Sequence, residues 1–237
     1  IRTSLPRNAR RAGLGESSCG RPWGPWSAGL FHGLNQRLPR QRFRRAVATF
    51  HDLFVLTGDY SSREFRERFA RQARDAASRA DLIITVSAFT AGQVQQLLGV
   101  EPARLRVIHH GVRVRSAPDI VREPVVVHIG AIQRRKNIAR LVDAFEQMPS
   151  GWRLVLAGAR GYGAGEILER IERSPRRASI ELHGYVTDRE LAGLYARASI
   201  FAFPSLDEGF GMPALDAMAN GVPVLAGTRA ALPEVCG

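Results

Sequence analysis

Eight short apolar runs alternate with segments of helical period along this chain, and no other feature restricts its fold so strongly. The runs at 46–51, 82–86, 105–108, 125–129, 153–157, 180–183, 200–203 and 222–226 have the length and bounds of strands. Between them, 61–79 reads as a helix with Phe65, Phe69, Ala73, Ala76 and Ala77 near one face. Ser87 is a natural N-cap for a helix to Leu98, which Gly99 closes. Asn137 is placed to cap a helix over 138–147, and 166–173 reads as another. Thr187-Asp-Arg-Glu190 has the spacing of a capping box for a helix through Arg197. Strand alternating with helix implies an α/β protein with parallel sheets covered on both faces.

The pattern runs twice. The mixed, charged, Pro-containing stretch 112–123 is read as a linker between a lobe over 29–111 and a second over 124–237. Residues 1–28 show no period, are rich in Arg, Gly, Pro and Ser, and are expected to be loop-like or disordered. In such sheets ligands sit beyond the carboxyl ends of the strands, so the loops that follow strands are where chemistry belongs.

One of those loops carries the most information. After the strand at 200–203, Glu208 lies in an acidic loop, and Gly209 and Gly211 flank Phe210 where the backbone must turn tightly. A helix over 212–220 follows and stops at Gly221. A helix N-terminus behind a glycine turn presents open N–H groups to an anion. Glu208 and Asp216 bracket it, eight residues apart, so they are not neighbours on one helix face. Anion-binding backbone beside hydroxyl-binding carboxylates is what a sugar nucleotide needs. The chain contains one lysine among 34 basic residues, Lys136, in the loop Arg134-Arg-Lys-Asn137 that follows another strand. An ammonium on a flexible stem suits a phosphate oxygen, and a neighbouring guanidinium adds a bidentate fork. Taken alone, that loop is equally a solvated charged turn. Likewise Asp216 is also an ordinary charge favoured in the first half of a helix.

The segment from Glu208 to Asp216 resembles the Glu-x7-Glu region of glycosyltransferase family 4, retaining transferases of two-domain GT-B fold. The resemblance runs from about Leu30 to the end of the chain. It takes in Gly33-Leu-Asn-Gln-Arg-Leu-Pro39, Thr49-Phe-His-Asp-Leu53, Ala80-Asp-Leu-Ile-Ile-Thr-Val-Ser87, Arg106-Val-Ile-His-His-Gly-Val112 and Gly130-Ala-Ile-Gln-Arg-Arg-Lys-Asn137, in the family's order. One position departs: Asp216 stands where the family usually has Glu, shorter by about 1.5 Å.

The resemblance implies two Rossmann-like doubly wound lobes and transfer, with retention, from a UDP- or GDP-linked sugar to a saccharide or lipid-linked acceptor. It assigns Arg135 and Lys136 to the diphosphate, Glu208 to the donor sugar hydroxyls and Asp216 to the ribose diol. It assigns His51 to the first-lobe face of the donor sugar, and counts Glu208, His51, Lys136 and Arg135 as the catalytic set. Backbone groups of Gly130, Gly209, Phe210, Gly211 and Met212 are expected against the donor, and those of Tyr185 and Val186 against its base. His109-His110 resembles a hinge segment. Adjacent positions on a strand point to opposite faces, so that pair is not read as a metal site. No Asp-x-Asp motif occurs, so no metal or cofactor is expected. A GT-B nucleotide-sugar epimerase and a non-catalytic nucleotide-sugar-binding remnant are the alternative readings.

Composition adds bounds. With 45% hydrophobic residues in 237, the chain can bury a core, and no run approaches the roughly 20 apolar residues of a membrane span. It opens on Ile1 and ends soon after the last predicted strand, so the expectation is a chain cut at both ends, with its first lobe incomplete. Cys19 and Cys236 lack metal-ligand spacing and point to a reducing compartment. Residues 1–123 hold 21 arginines against 10 acids, whereas 124–237 hold 12 arginines and one lysine against 12 acids. A basic surplus of that kind reflects an arginine-rich composition or meets anionic lipid, where each basic group contributes about 1 kcal/mol. Nothing resembles a helix-turn-helix, zinc finger or RRM, so nucleic acid is not an expected partner. The expected location is cytoplasmic, peripheral at the inner membrane face.

Overall fold

The structure, a computed structural model, describes residues 29–41, 43–112 and 121–237. The segment 1–28 and most of the expected linker, 113–120, lie outside the described residues. Two separate parallel sheets form. Strands β1 (Phe31–Gly33), β2 (Ala46–Phe50), β3 (Leu82–Thr85) and β4 (Leu105–Val107) lie in that order in a four-stranded sheet. The second sheet holds β5 (Glu123–Ile129), β6 (Arg153–Ala157), β7 (Ile180–His183), β8 (Ala198–Phe203) and β9 (Val224–Ala226), in the order β7-β6-β5-β8-β9. Val127 pairs with Val155 on one side and with Phe201 on the other, so β5 is central.

Helices cover the sheets as the alternation requires. The first lobe has α1 (Phe54–Thr57), α2 (Arg63–Arg79) and α3 (Ala88–Leu98). The second has α4 (Ile138–Glu146), α5 (Ala164–Glu172), α6 (Asp188–Arg197), α7 (Met212–Ala219) and α8 (Leu232–Cys236). Ser62 caps α2 by accepting from Phe65 N, and Ser87 caps α3 by accepting from Thr90 N. Gly99 ends α3 in the left-handed conformation, φ 65°. Thr187 and Glu190 form the full capping box of α6. None of the helices among the described residues is long and apolar enough to cross a membrane.

Three details differ from expectation. Phe65 is 39% exposed, because the buried stripe of α2 starts one turn later at Phe69, and Phe65 rests against that ring from outside. Asn137 does not cap α4 with its side chain. It ends a 3-10 turn over Arg134–Lys136 in the left-handed region, φ 56°, a conformation asparagine tolerates. The short helices α1 and α8 and the strand β1 were not anticipated; each is only three to five residues, too short to show a period.

Both faces of the second sheet are packed. Val125, Val127, Phe201 and Phe203 meet Leu194 and Tyr195 of α6 and Ala214 and Ala217 of α7. Val126, Leu154 and Leu156 meet Leu141, Val142 and Phe145 of α4 and Ile167 and Ile171 of α5. This is why β5 reads as an unbroken valine run rather than an alternating one. The strand order reverses between β5 and β8, which leaves a crevice beyond their carboxyl ends.

The lobes meet at that crevice. Ser87 Oγ and Thr90 Oγ1 donate to the carbonyl of Gly209 at 2.6 and 3.1 Å. Thr57 Oγ1 donates to Asp207 Oδ2 at 2.6 Å. Glu234 of α8 accepts from the Ala88 and Phe89 amides at the start of α3, at 2.8 and 3.2 Å, and pairs with His109 Nε2 at 2.7 Å.

His128, at the end of β5, is fully buried; its Nδ1–H donates to Ala202 O at 2.9 Å and its ring stacks on Phe203. Burial pushes its pKa down to about 4 from 6.5. Below pH 6.5 the unfolded chain therefore takes up a proton that the folded chain refuses, and stability falls as pH drops toward 4. The total is about 3 kcal/mol. Urea denaturation of His128→Phe between pH 7 and 4.5 is expected to lack that component of the acid slope.

Candidate active site in the switch-point crevice

Two loops build the centre of the site, one after β5 and one after β8. The first turns tightly: Lys136 N donates to Gln133 O at 3.0 Å and Asn137 N to Arg134 O at 3.0 Å. That 3-10 turn points Arg135 and Lys136 at the second loop. The two loops are stitched by Leu206 N to Arg135 O at 2.7 Å and by Arg135 Nη1 to Asp207 O at 2.6 Å. Gly130 opens the first loop at φ 149°; a Cβ there would lie 3.3 Å from Lys136 Cε and 3.5 Å from Nζ. The lysine stem thus fits past position 130 because no side chain is there.

Both cations converge on one carboxylate oxygen. Lys136 Nζ lies 2.5 Å and Arg135 Nη1 2.8 Å from Glu208 Oε1. All three groups are nearly out of water, with side chains 7, 11 and 9% exposed for Lys136, Arg135 and Glu208. The Lys136 ammonium also sits 4.5 Å above the Phe203 ring, and the Arg135 guanidinium 4.3 Å above the ring of Phe54 from the other lobe. Burial pulls Lys136 below its usual pKa, with Glu208 opposing. Burial alone would raise Glu208, but Lys136 and Arg135 outweigh it and hold the carboxyl ionised, below its ordinary range.

Beyond Glu208 the chain must pass under the first lobe. A Cβ on Gly209 would fall 1.7 Å from His51 O, so glycine is required by close approach. Gly211, φ 104°, sits at the N-cap of α7 with no side-chain cap. The amides of Phe210, Gly211 and Met212 are left at an open helix N-terminus, while the Phe210 ring is buried edge-on against His110.

Not every sequence candidate joins this cluster. Asp216 lines a cleft of about 240 Å³ with Gly111, Val112, Asp188, Tyr195 and Met212. Tyr195 donates to Pro213 O there, and burial together with Asp216 pushes its hydroxyl pKa up. Tyr185 is 86% exposed and Val186 packs partly against the second-lobe core, so neither side chain reaches Lys136. The His51 imidazole is engaged at Nε2 by Leu34 O, 2.9 Å, and stacks on His110 at 5.4 Å. Its carbonyl, rather than its ring, is what Gly209 meets. Among the described residues no group of His, Cys, Asp and Glu is arranged to hold a metal ion.

Asp52, Thr57 and Asp207 were missed by sequence reasoning. Asp52 and Asp207 each adjoin a recognised candidate at the carboxyl end of a strand, β2 and β8, and that position was the available signal. Burial raises the pKa of both carboxyls, against the pull of Arg135.

Residues 123–237 match the family described as glycosyl transferases group 1, and residues 23–116 match glycosyltransferase family 4. The chain belongs to the family 4 glycosyltransferases. O-antigen chain mannosyltransferase B of Escherichia coli is 33% identical over 229 residues, covering 88% of this chain and 59% of that protein. The GDP-mannose-dependent alpha-(1-6)-phosphatidylinositol dimannoside mannosyltransferase of Mycobacterium tuberculosis is 28% identical, covering 75% and 49%. Among solved structures, sucrose-phosphate synthase from Thermosynechococcus elongatus aligns with TM-score 0.71 and 24% identity over 86% of this chain and 57% of that one. Anabaena Alr3699/HepE in complex with UDP and glucose aligns with TM-score 0.67 and 24% identity over 80% and 54%. The fold is GT-B. The chain spans 59% of the length of the Escherichia coli relative.

Because Lys136 is the only lysine, selective 13C labelling of lysine side chains gives one Cε signal to titrate. Glu208→Gln removes the carboxylate that opposes burial, so the Lys136 pKa is expected to fall further below its ordinary value. Breaking the pair is also expected to destabilise the fold by about 3–5 kcal/mol, measured by urea denaturation.

Proposed function

We propose that this chain binds a nucleoside diphosphate sugar in the switch-point crevice and contributes the donor site of a retaining hexosyltransferase. The observation that carries the reading is the buried pair of cations, Lys136 and Arg135, meeting at the loop that leads into the open N-terminus of α7. Names of the relatives favour mannose as the transferred sugar and a GDP-linked donor. The acceptor is a saccharide or a lipid-linked saccharide.

In this reading the diphosphate takes the place that Glu208 holds against the two cations. Glu208 then turns to the donor sugar hydroxyls, and Asp216, on its own cleft, faces the ribose. As the sugar–oxygen bond breaks, negative charge builds on the leaving nucleoside diphosphate. Lys136, Arg135 and the α7 amides are already oriented there and need not reorganise, which is where electrostatic catalysis is strongest. The acceptor hydroxyl attacks from the face the diphosphate leaves, which gives retention. No metal forms part of this scheme. Arg63, Arg68, Arg71 and Arg74, on the exposed side of α2, belong to the basic surplus of the first half of the chain. We place them toward an anionic membrane surface at the cytoplasmic side, the setting of a lipid-linked acceptor.

Calorimetric titration with UDP, GDP, UDP-glucose and GDP-mannose, without added metal, tests the donor site. Lys136→Ala is expected to weaken nucleoside diphosphate binding by about 1.5–3 kcal/mol. An unchanged affinity in a folded variant overturns the phosphate role.

A further inference from the structure

Asp52 is a crevice residue with no role in the donor site as described so far. It follows His51 at the carboxyl end of β2 and is largely buried between the lobes. Its side chain sits at their closest approach, since a Cβ on Gly209 would fall 2.8 Å from Asp52 Cβ. Of the other two carboxylates of the crevice, Asp207 takes the Thr57 hydroxyl on Oδ2 while its Oδ1 is buried without a partner, and Glu208 takes Lys136 and Arg135. Asp52 makes no hydrogen bond and no ion pair with any described residue.

The charged and titratable groups that face it come from three places. His51 precedes it on its own strand end, Arg135 and Lys136 come from the loop after β5, and Asp207 and Glu208 from the loop after β8. Among the described residues, Asp207 and Glu208 oppose Arg135 and Lys136 around Asp52, and Arg229 acts beside them on Tyr60, so the crevice has no large cationic excess to hold further negative charge. The diphosphate of a sugar nucleotide brings two such charges. In a water-poor crevice that many like charges cannot all stay ionised. Asp52 has no hydrogen bond to give up by taking a proton.

We propose that Asp52 is a further donor-binding residue, present as the neutral acid in the complex and donating its O–H to an oxygen of the diphosphate. The inference rests on the donor site proposed above. Burial already raises the pKa of Asp52, and Arg135 is the main group pulling it down. A phosphate on Arg135 cancels that pull. The O–H···O contact then strengthens as the leaving diphosphate gains charge, since hydrogen bonds to ionised acceptors are roughly twice as strong as neutral ones. The first lobe, through Asp52, thereby adds a third side-chain donor to the two cations of the second lobe, and does so only while the lobes are closed.

The sign follows from the neutral form being the one that binds. Affinity is full below the pKa of Asp52 in the free protein and falls as pH rises through it, by about tenfold per pH unit for one proton taken up. UDP-glucose and GDP-mannose are suitable probes, because their diester phosphates do not titrate between pH 5 and 8.5. Their affinities are measured across that range, with the proton count obtained from calorimetry in two buffers of different ionisation enthalpy. Wild type is expected to take up one proton and to weaken with rising pH. Asp52→Asn keeps a neutral N–H donor and is expected to bind with a flat profile, no proton uptake, and affinity at pH 8.5 at least equal to wild type. Asp52→Ser, whose hydroxyl also donates, is expected to be flat as well. The inference fails if both folded variants keep the wild-type profile and proton count, or if wild-type affinity does not change with pH. Absence of any sugar-nucleotide binding by folded wild type at pH 5 overturns the donor site and this inference together.

Discussion

A lysine ammonium buried with a carboxylate is the interaction on which the rest of this site depends. Moving either ion from water alone costs several kcal/mol, and their attraction repays this only when geometry is tight and other partners are present. Here Glu208 holds two cations on one oxygen, and each cation also lies over an aromatic ring, Phe203 or Phe54. The neighbouring architecture follows from keeping that cluster in place. Position 130 has no side chain, the turn before Asn137 is wound as a 3-10 helix, and the two loops share backbone bonds. Such a cluster contributes little net stability. What it supplies is a pair of immobile positive charges with a displaceable anion between them.

The topology explains why those two loops meet. In a parallel sheet with the order β7-β6-β5-β8-β9, only the strands on either side of the reversal send their following loops in opposite directions. The loops after β5 and β8 therefore part to leave a crevice and supply its walls. The first lobe closes it from above through contacts at Gly209, whose missing side chain lets a carbonyl of one lobe rest against the backbone of the other.

Much of this was legible in the sequence because strong local rules applied. The valine run at 125–127, the Thr187–Glu190 box and the Ser87–Gly99 bracket each encode an element with little help from tertiary contacts. Lys136, Arg135 and Glu208 stood out by residue type and by position after strands. The remainder depended on contacts between distant parts of the chain. Asp52 and Thr57 lie about 150 residues from Asp207, and nothing local to either reveals the approach. Asn137 differs for a related reason: its side chain suits a cap, but the preceding 3-10 turn ends in a left-handed backbone and the side chain makes no cap bond. Phe65 followed the helical period correctly, yet the core beneath it ends one turn too soon.

The contact of Glu234 with the start of α3 ties two quantities that are normally separate. The Ala88 and Phe89 amides are orphan donors of one lobe, and their acceptor belongs to the other. Separating the lobes therefore frays a helix end, and closing them finishes it. Solvent exchange at those two amides becomes a local gauge of a global hinge, readable without any label placed across the cleft.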